Sequence, residues 1–187
     1  MYDNGIEKIL INEDEISKRV KELGKQISED YKDSKDFLVI GILKGSVVFM
    51  ADLIRNIDIH TSIDFMTVSS YGSGTISSGV LTVKKDLDTD IEGKDILIAE
   101  DIIDSGITLF NLIKLLKERN PKSIKICTFL NKAERREVDM KVDYIGFDIP
   151  NEFIVGYGLD YAEKYRNFPY VGILKREVYE NNKEAEN

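Results

Sequence analysis

No stretch constrains this chain more than Ile96-Leu-Ile-Ala-Glu-Asp-Ile-Ile-Asp-Ser-Gly-Ile-Thr-Leu109. Ile96 to Ala99 form an unbroken apolar run, which suits a parallel strand covered on both faces and so demands helices on either side of a sheet. The run stops at Glu100 and Asp101, where the carboxyl end of such a strand opens to a crevice. After Asp104, Ser105 and Gly106 permit a tight turn. Leu109, Leu112, Ile113 and Leu116 then recur at helical spacing, so the turn leads into a helix whose first N–H groups can hold a dianion such as phosphate.

Carboxylates beside an anion cradle are puzzling until hydroxyls and positive charge are considered. Adjacent Glu and Asp accept hydrogen bonds from the two hydroxyls of a ribose, and they attract an oxocarbenium-like charge developing at its anomeric carbon. Asp104 is left to take a proton. Any one of these residues alone reads as a strand end or a helix cap; together they read as a sugar-phosphate site.

The rest of the chain alternates strands and helices. Ile16, Val20, Leu23 and Ile27 predict a helix over 13–29, followed by a strand over 37–43. Lys44-Gly45-Ser46 turns into a helix carrying Val47, Met50, Ala51 and Ile54. Alternation predicts a half-buried strand over 57–71, a loop over 72–79 and a returning strand over 80–85. The strand from Ile96 leads into a helix that stops near Asn120-Pro121, with further strands over 124–130, 142–147 and 170–174. Residues 177–187 are polar and expected to fray. Strands alternating with helices imply a mostly parallel, twisted sheet with its site at the carboxyl edge.

At 187 residues and 42% hydrophobic content, the chain reads as one domain able to bury its own core. Its apolar runs are far shorter than a membrane span, and its N-terminus lacks a signal core, so a cytoplasmic protein is expected. A net charge of -8 argues against a sequence-independent grip on nucleic acid or on anionic membranes. The single Cys127 sits in a predicted strand and reads as buried; the single His60 reads as solvent-facing. Within this chain, one histidine and one cysteine exclude zinc clusters, Cys-His dyads and Ser-His-Asp triads. Acid–base work falls to Asp, Glu, Lys or Tyr.

Glu100-Asp101-Ile102-Ile103-Asp104-Ser105-Gly106-Ile107-Thr108 resembles the phosphoribosyl-pyrophosphate motif of the type I phosphoribosyltransferases. Other segments narrow the resemblance to the hypoxanthine-guanine branch, over about residues 37–174. The departures are local: Ser105 and Ile107 stand where relatives have Thr and Lys, and Ser46 follows Lys44-Gly45. The resemblance implies an α/β type I phosphoribosyltransferase fold, a mostly parallel twisted sheet flanked by helices, with a small hood and a flexible catalytic loop, in a single domain spanning 1–187.

It also implies roles. Asp104 would be the general base, relieving a purine of its N7 proton as N9 bonds to the anomeric carbon. Glu100 and Asp101 would hold the ribose, while Ser105, Gly106, Ile107 and Thr108 would hold the 5-phosphate. Lys44 and Gly45 would meet pyrophosphate, and the peptide matching Leu43-Lys44 is cis in at least some relatives, which leaves its state here open. Ser70 and Tyr71 resemble the start of the catalytic loop that closes over the substrates; an exposed Tyr71 in the open form is equally consistent. Lys132 would donate to the purine O6, Phe153 would stack on the base and Ile154 would offer backbone groups to its edge. From the residues alone, Phe153 reads as a core phenylalanine and Lys132 as part of a solvated charged run.

Arg166 would contact pyrophosphate, and Glu100, Asp101 and Asp160 would form the metal side of the site for Mg2+, brought in as a substrate chelate. The expected partners are small molecules, a 6-oxopurine and phosphoribosyl pyrophosphate, with no nucleic acid and no membrane, in a homodimer or homotetramer. The expected reaction is purine salvage to IMP or GMP. Two alternatives stand beside it: a xanthine-preferring enzyme, and a non-catalytic nucleotide-sensing RNA-binding regulator on the same fold.

Overall fold

The computed structural model describes residues 4–70 and 81–180. The chain opens with a strand, β1 (Ile6–Ile11), and the predicted helix follows as α1 (Glu13–Asp30). A capping box starts α1: the Glu15 N–H donates to Asn12 Oδ1 at 3.0 Å, and the Asn12 N–H donates to Glu15 Oε2 at 2.8 Å. Its apolar stripe, Ile16, Val20, Leu23 and Ile27, is buried as its spacing requires.

Next come β2 (Phe37–Ile42), α2 (Val47–Ile54), β3 (Ser62–Ser70) and β4 (Leu81–Lys85). Strand β3 starts later than the alternation from Ile57 predicts. The Asp58 N–H donates to Ser28 Oγ of α1 at 2.9 Å, which spends that backbone on a helix rather than on a neighbouring strand. β5 (Asp95–Ile103) feeds α3 (Ile107–Lys117), then β6 (Ser123–Asn131), a 3-10 turn at Ala133–Arg135 and β7 (Tyr144–Asp148). Strand β5 runs past the two acids, because β6 pairs with it as far as Ile103↔Asn131. Regular helix in α3 ends at Lys117, and single turns carry the chain to Asn120 in a left-handed conformation, φ 53°.

The chain finishes with β8 (Ile154–Val155), β9 (Val171–Leu174) and α4 (Arg176–Glu180). Helix α4 replaces the start of the expected frayed tail; residues 181–187 lie outside the described residues.

Six strands form the main sheet in the order β4-β3-β2-β5-β6-β7, parallel except at the β3–β4 pair. Strand β2 is wholly buried, and its side chains alternate between two cores. Leu38, Ile40 and Ile42 meet Ile96 and Ile98 of β5 and Leu109, Leu112 and Leu116 of α3. Val39 faces the opposite side with Leu97, Ala99, Cys127 and Phe129, against Leu23 and Ile27 of α1 and Phe49, Met50 and Leu53 of α2. Cys127 is buried as expected, and burial pushes its thiol pKa up, away from reactivity. His60 is exposed as expected.

A separate antiparallel sheet, β1-β9-β8, makes the hood, whose Ile11, Ile154 and Val171 join the α1–α2 core. From β2 the chain moves outward through β3 and β4, then returns to the other flank of β2 as β5. This reversal leaves the carboxyl ends of β2 and β5 diverging around a crevice, the switch point at which open α/β sheets bind ligands.

Candidate active site

The crevice is a cleft of about 270 Å³ lined by Leu43 and Gly45 at the end of β2, and by Glu100, Asp101, Asp104, Ser105, Gly106 and Thr108 along β5 and into α3. The Leu43-Lys44 peptide, whose state the sequence leaves open, is cis. Asp101 leans directly on the Lys44-Gly45 turn: a Cβ on Gly45 would lie 1.6 Å from Asp101 Oδ2. Only glycine lets the strand ends come so close.

Glu100 and Asp101 crowd one another on the cleft wall. Burial, then repulsion by the Asp101 carboxylate, raises the Glu100 carboxyl well above the ordinary carboxylate range. Burial also raises Asp101, against the Ile102 N–H, which donates to its Oδ1 at 2.8 Å, and the attraction of Arg166. Glu100 Oε2 is inaccessible and lacks a hydrogen-bond partner. Two acids strained by proximity, one with an unsatisfied oxygen, suit a partner that brings hydroxyl donors or positive charge.

Beyond them, Gly106 adopts φ 81° and starts α3 without a side-chain cap. The Ile107 N–H donates weakly to Ser105 Oγ at 3.4 Å, and the Phe110 N–H begins the helical ladder to the Gly106 carbonyl at 2.9 Å. The expected turn from Ser105 to Thr108 therefore forms a helix entrance facing the cleft, with the positive end of the helix dipole behind it.

Asp104 closes the strand end and is not alone. Arg135 Nε lies 2.9 Å from Asp104 Oδ1, an ion pair whose N–H does not point along the contact. In the sequence, Arg135 belongs to the charged run Asn131-Lys-Ala-Glu-Arg-Arg136, which by itself reads as solvated surface. Its role depends on the 3-10 turn after β6, which no local pattern announces.

Lys132, Phe153 and Ile154 lie beside the cleft rather than in its lining. The Lys132 N–H donates to the Ile103 carbonyl at 3.0 Å, so β5 itself fixes its position next to Asp104. Its side chain is buried, and Nζ donates to the Glu152 carbonyl at 2.8 Å, one residue before Phe153. Burial lowers the Lys132 pKa, partly offset by attraction to Asp104. Phe153 is 37% exposed rather than core, and Ile154 buries its side chain in β8.

On the other side, Arg166 and Asp160 form an ion pair at 2.8 Å, and Arg166 also donates to the Gly158 carbonyl at 2.8 Å. Glu163, which the sequence reading did not single out, bridges to Lys44 Nζ at 3.1 Å. Gly158 packs on the same turn: its φ is 101°, and a Cβ there would lie 2.2 Å from the Gly45 carbonyl oxygen. Tyr157, Ala162, Glu163 and Tyr165 all hold positive φ in this loop, backbone strain concentrated beside the cleft.

The expected metal set is not assembled as three protein ligands. Asp160 Oδ1 faces Arg166, which also attracts Asp101, and its Oδ2 accepts the Glu163 N–H at 2.9 Å. Among the described residues no group of three His, Cys, Asp or Glu side chains could hold a metal ion. Ser70 ends β3 opposite Leu81. Tyr71 and the loop over 72–79 lie outside the described residues. None of the described helices is long and apolar enough to cross a membrane.

Comparison with known proteins agrees with this geometry. Residues 8–162 match the family model described as phosphoribosyl transferase domain. Hypoxanthine-guanine phosphoribosyltransferase of Bacillus subtilis is 56% identical over 181 residues, 97% of this chain and 100% of that protein. The protein of the same name from Streptococcus pneumoniae (strain R6) is 54% identical over the same shares. A crystal structure of a hypoxanthine phosphoribosyltransferase from Staphylococcus aureus superimposes with a TM-score of 0.90 at 51% identity, covering 94% of this chain and 95% of that one.

Proposed function

This chain belongs to the phosphoribosyltransferase family, and on that premise we propose that it joins hypoxanthine or guanine to 5-phosphoribosyl-1-pyrophosphate, giving IMP or GMP and pyrophosphate. The observation that carries the reading is the Glu100–Asp101 pair set directly before a helix-entrance turn at the switch point. Two acids of β5 and the helix-entrance N–H groups of α3 line one cleft, which supports a ribose held by its hydroxyls beside its phosphate.

In this reading the turn from Ser105 to Thr108 grips the 5-phosphate, and Glu100 and Asp101 accept the ribose hydroxyls. As the bond to pyrophosphate loosens, the two carboxylates stabilise the positive charge left on the ribose ring. Asp104 takes the N7 proton of the purine while N9 attacks the anomeric carbon. For that, Arg135 must release or share its carboxylate. Lys132 donates to the exocyclic O6, a contact that adenine, with an amino group there, leaves unpaired. Phe153 stacks on the base, and Ile154 presents backbone to its edge.

Lys44, Gly45 and Arg166 meet the departing pyrophosphate, with Ser70 and Tyr71 closing from the loop side to exclude water. Mg2+ bound as a substrate chelate supplies positive charge to that leaving group. The unpartnered oxygen of Glu100 and the crowded Glu100–Asp101 pair fit such a cation, which these two carboxylates would hold. Asp160 acts on this side through Arg166. A cytoplasmic homodimer or homotetramer belongs to the same reading.

The test is nucleotide formation from phosphoribosyl pyrophosphate and Mg2+ with hypoxanthine, guanine, xanthine and adenine offered separately. IMP and GMP as main products are expected. XMP as the main product would replace the substrate assignment, and no product from any base would overturn the enzymatic reading.

A further inference from the structure

The C-terminal helix reaches the base end of the site through one aromatic contact. Tyr179 of α4 stacks on Phe153, with ring centroids 4.7 Å apart and planes 18° from parallel. Tyr161 meets the same ring edge to face, at 5.5 Å and 87°. Strand β9 delivers α4 to this place: the Leu174 N–H donates to the Phe153 carbonyl at 2.8 Å, and the Val178 N–H turns back to the Lys175 carbonyl at 3.0 Å. Arg176 and Glu177 stay exposed while Tyr179 is half-buried, so Tyr179 is the side chain through which α4 touches Phe153.

Phe153 is 37% exposed, just before a two-residue strand, so burial alone does not fix its ring plane. Two aromatic partners at nearly perpendicular angles supply that constraint. A ring offers two faces. With one covered by Tyr179, the plane of the other is set before any ligand arrives, which lowers the entropy lost on stacking.

We propose that Tyr179 is a positioning residue for the purine: by stacking on Phe153, it holds that ring in the plane on which the base stacks. The inference rests on the reading of Phe153 as the base platform. It makes α4 part of the substrate site, although the helix is remote in sequence from every motif residue.

The experiment compares steady-state kinetics of the full chain with Tyr179→Ala, Tyr179→Phe, Tyr179→Leu and Phe153→Ala. Tyr179→Ala is expected to raise KM for hypoxanthine by about three- to tenfold, the size of one aromatic stack, with KM for phosphoribosyl pyrophosphate and kcat within about twofold. Tyr179→Phe, which keeps the ring, retains the wild-type KM. Tyr179→Leu keeps apolar bulk without a flat ring and reports the same rise should the alanine variant fail to fold. A wild-type base KM in both Tyr179→Ala and Tyr179→Leu, alongside a raised one in Phe153→Ala, overturns the inference while leaving the Phe153 reading intact. An unchanged base KM in Phe153→Ala removes that reading and the inference with it. Equal losses in both KM values and kcat, or a Tyr179→Phe variant as impaired as Tyr179→Ala, would mark Tyr179 as a fold anchor and overturn its positioning role.

Discussion

At the scale of single residues, the site is built from groups that would be more comfortable elsewhere. Glu100 is the clearest case, its carboxyl raised by burial and by Asp101. A carboxyl whose folded pKa lies above its unfolded value contributes stability that is complete below the unfolded pKa and is lost as pH rises from there through the raised folded value. Glu100→Gln is therefore expected to raise the melting temperature near neutral pH by a few degrees, roughly the effect of 1 kcal/mol, while lowering turnover. Calorimetry at pH 4 and pH 7 checks the sign, because the advantage over wild type should shrink at the lower pH. Gly45 shows the steric counterpart. With a Cβ 1.6 Å from Asp101 Oδ2, Gly45→Ala must push the two strand ends apart, and kcat/KM should fall by about 100-fold, as for a misplacement near 1 Å. Asp104→Asn keeps the shape and removes the proton acceptor; turnover falls by about 100-fold or more with substrate binding nearly intact. Wild-type turnover in that variant would end the general-base assignment.

At the scale of elements, stability and chemistry occupy different parts of the molecule. Helix α1 does not line the cleft, and its capping box is a local device for starting a helix. Asn12→Ala should cost about 1 kcal/mol in urea unfolding and leave kcat/KM unchanged. Strand β5 has both duties. Its first half, Asp95 to Ala99, is buried among two cores; its second half carries the acids. Continued pairing with β6 past Ala99 is what holds Glu100 and Asp101 in extended backbone, with both carboxylates at the cleft wall.

At the scale of the whole molecule, several carboxylates bind distant segments to one another, and they make the fold acid-sensitive. Burial alone would raise the pKa of Asp95, but Lys122, Ser34 and Ser123 outweigh it and hold the carboxyl below its ordinary value. Asp64 is lowered against burial by the backbone of Phe65, Thr89 and Asp88, and Asp86 chiefly by the Arg119 fork. A carboxyl depressed in the folded state contributes stability that is complete above its unfolded pKa, about 4, and is lost as pH falls through the folded value. The urea midpoint should thus drop steeply below about pH 4. Asp95→Asn should flatten part of that slope, and an unchanged slope would remove Asp95 from the account.

Much of this architecture is local in origin. The apolar run before Glu100, the glycine turn after Asp104 and the stripe of α1 each report burial or backbone freedom within a few residues, so element types and the turn into α3 were legible from the chain alone. Strands β1 and β8 were not: two residues carry no periodicity, Ile6-Glu-Lys-Ile-Leu-Ile11 does not alternate, and both strands exist through pairing with β9. The same limit applies at the site. Arg135 and Glu163 looked like ordinary surface charge until the turn after β6 set one beside Asp104 and the loop over 157–166 set the other on Lys44. The Asp160–Arg166 ion pair, joining two residues six apart in a loop of positive-φ backbone, carried no local signal either. Tyr179 was assigned to a frayed tail, yet pairing of β9 with the hood brings it onto Phe153. By itself the sequence determined which chemistry each segment can offer, since side-chain type and spacing are local properties. Which groups meet was decided only by the tertiary structure, because contacts between residues far apart in the chain are set by packing and pairing that no short window contains.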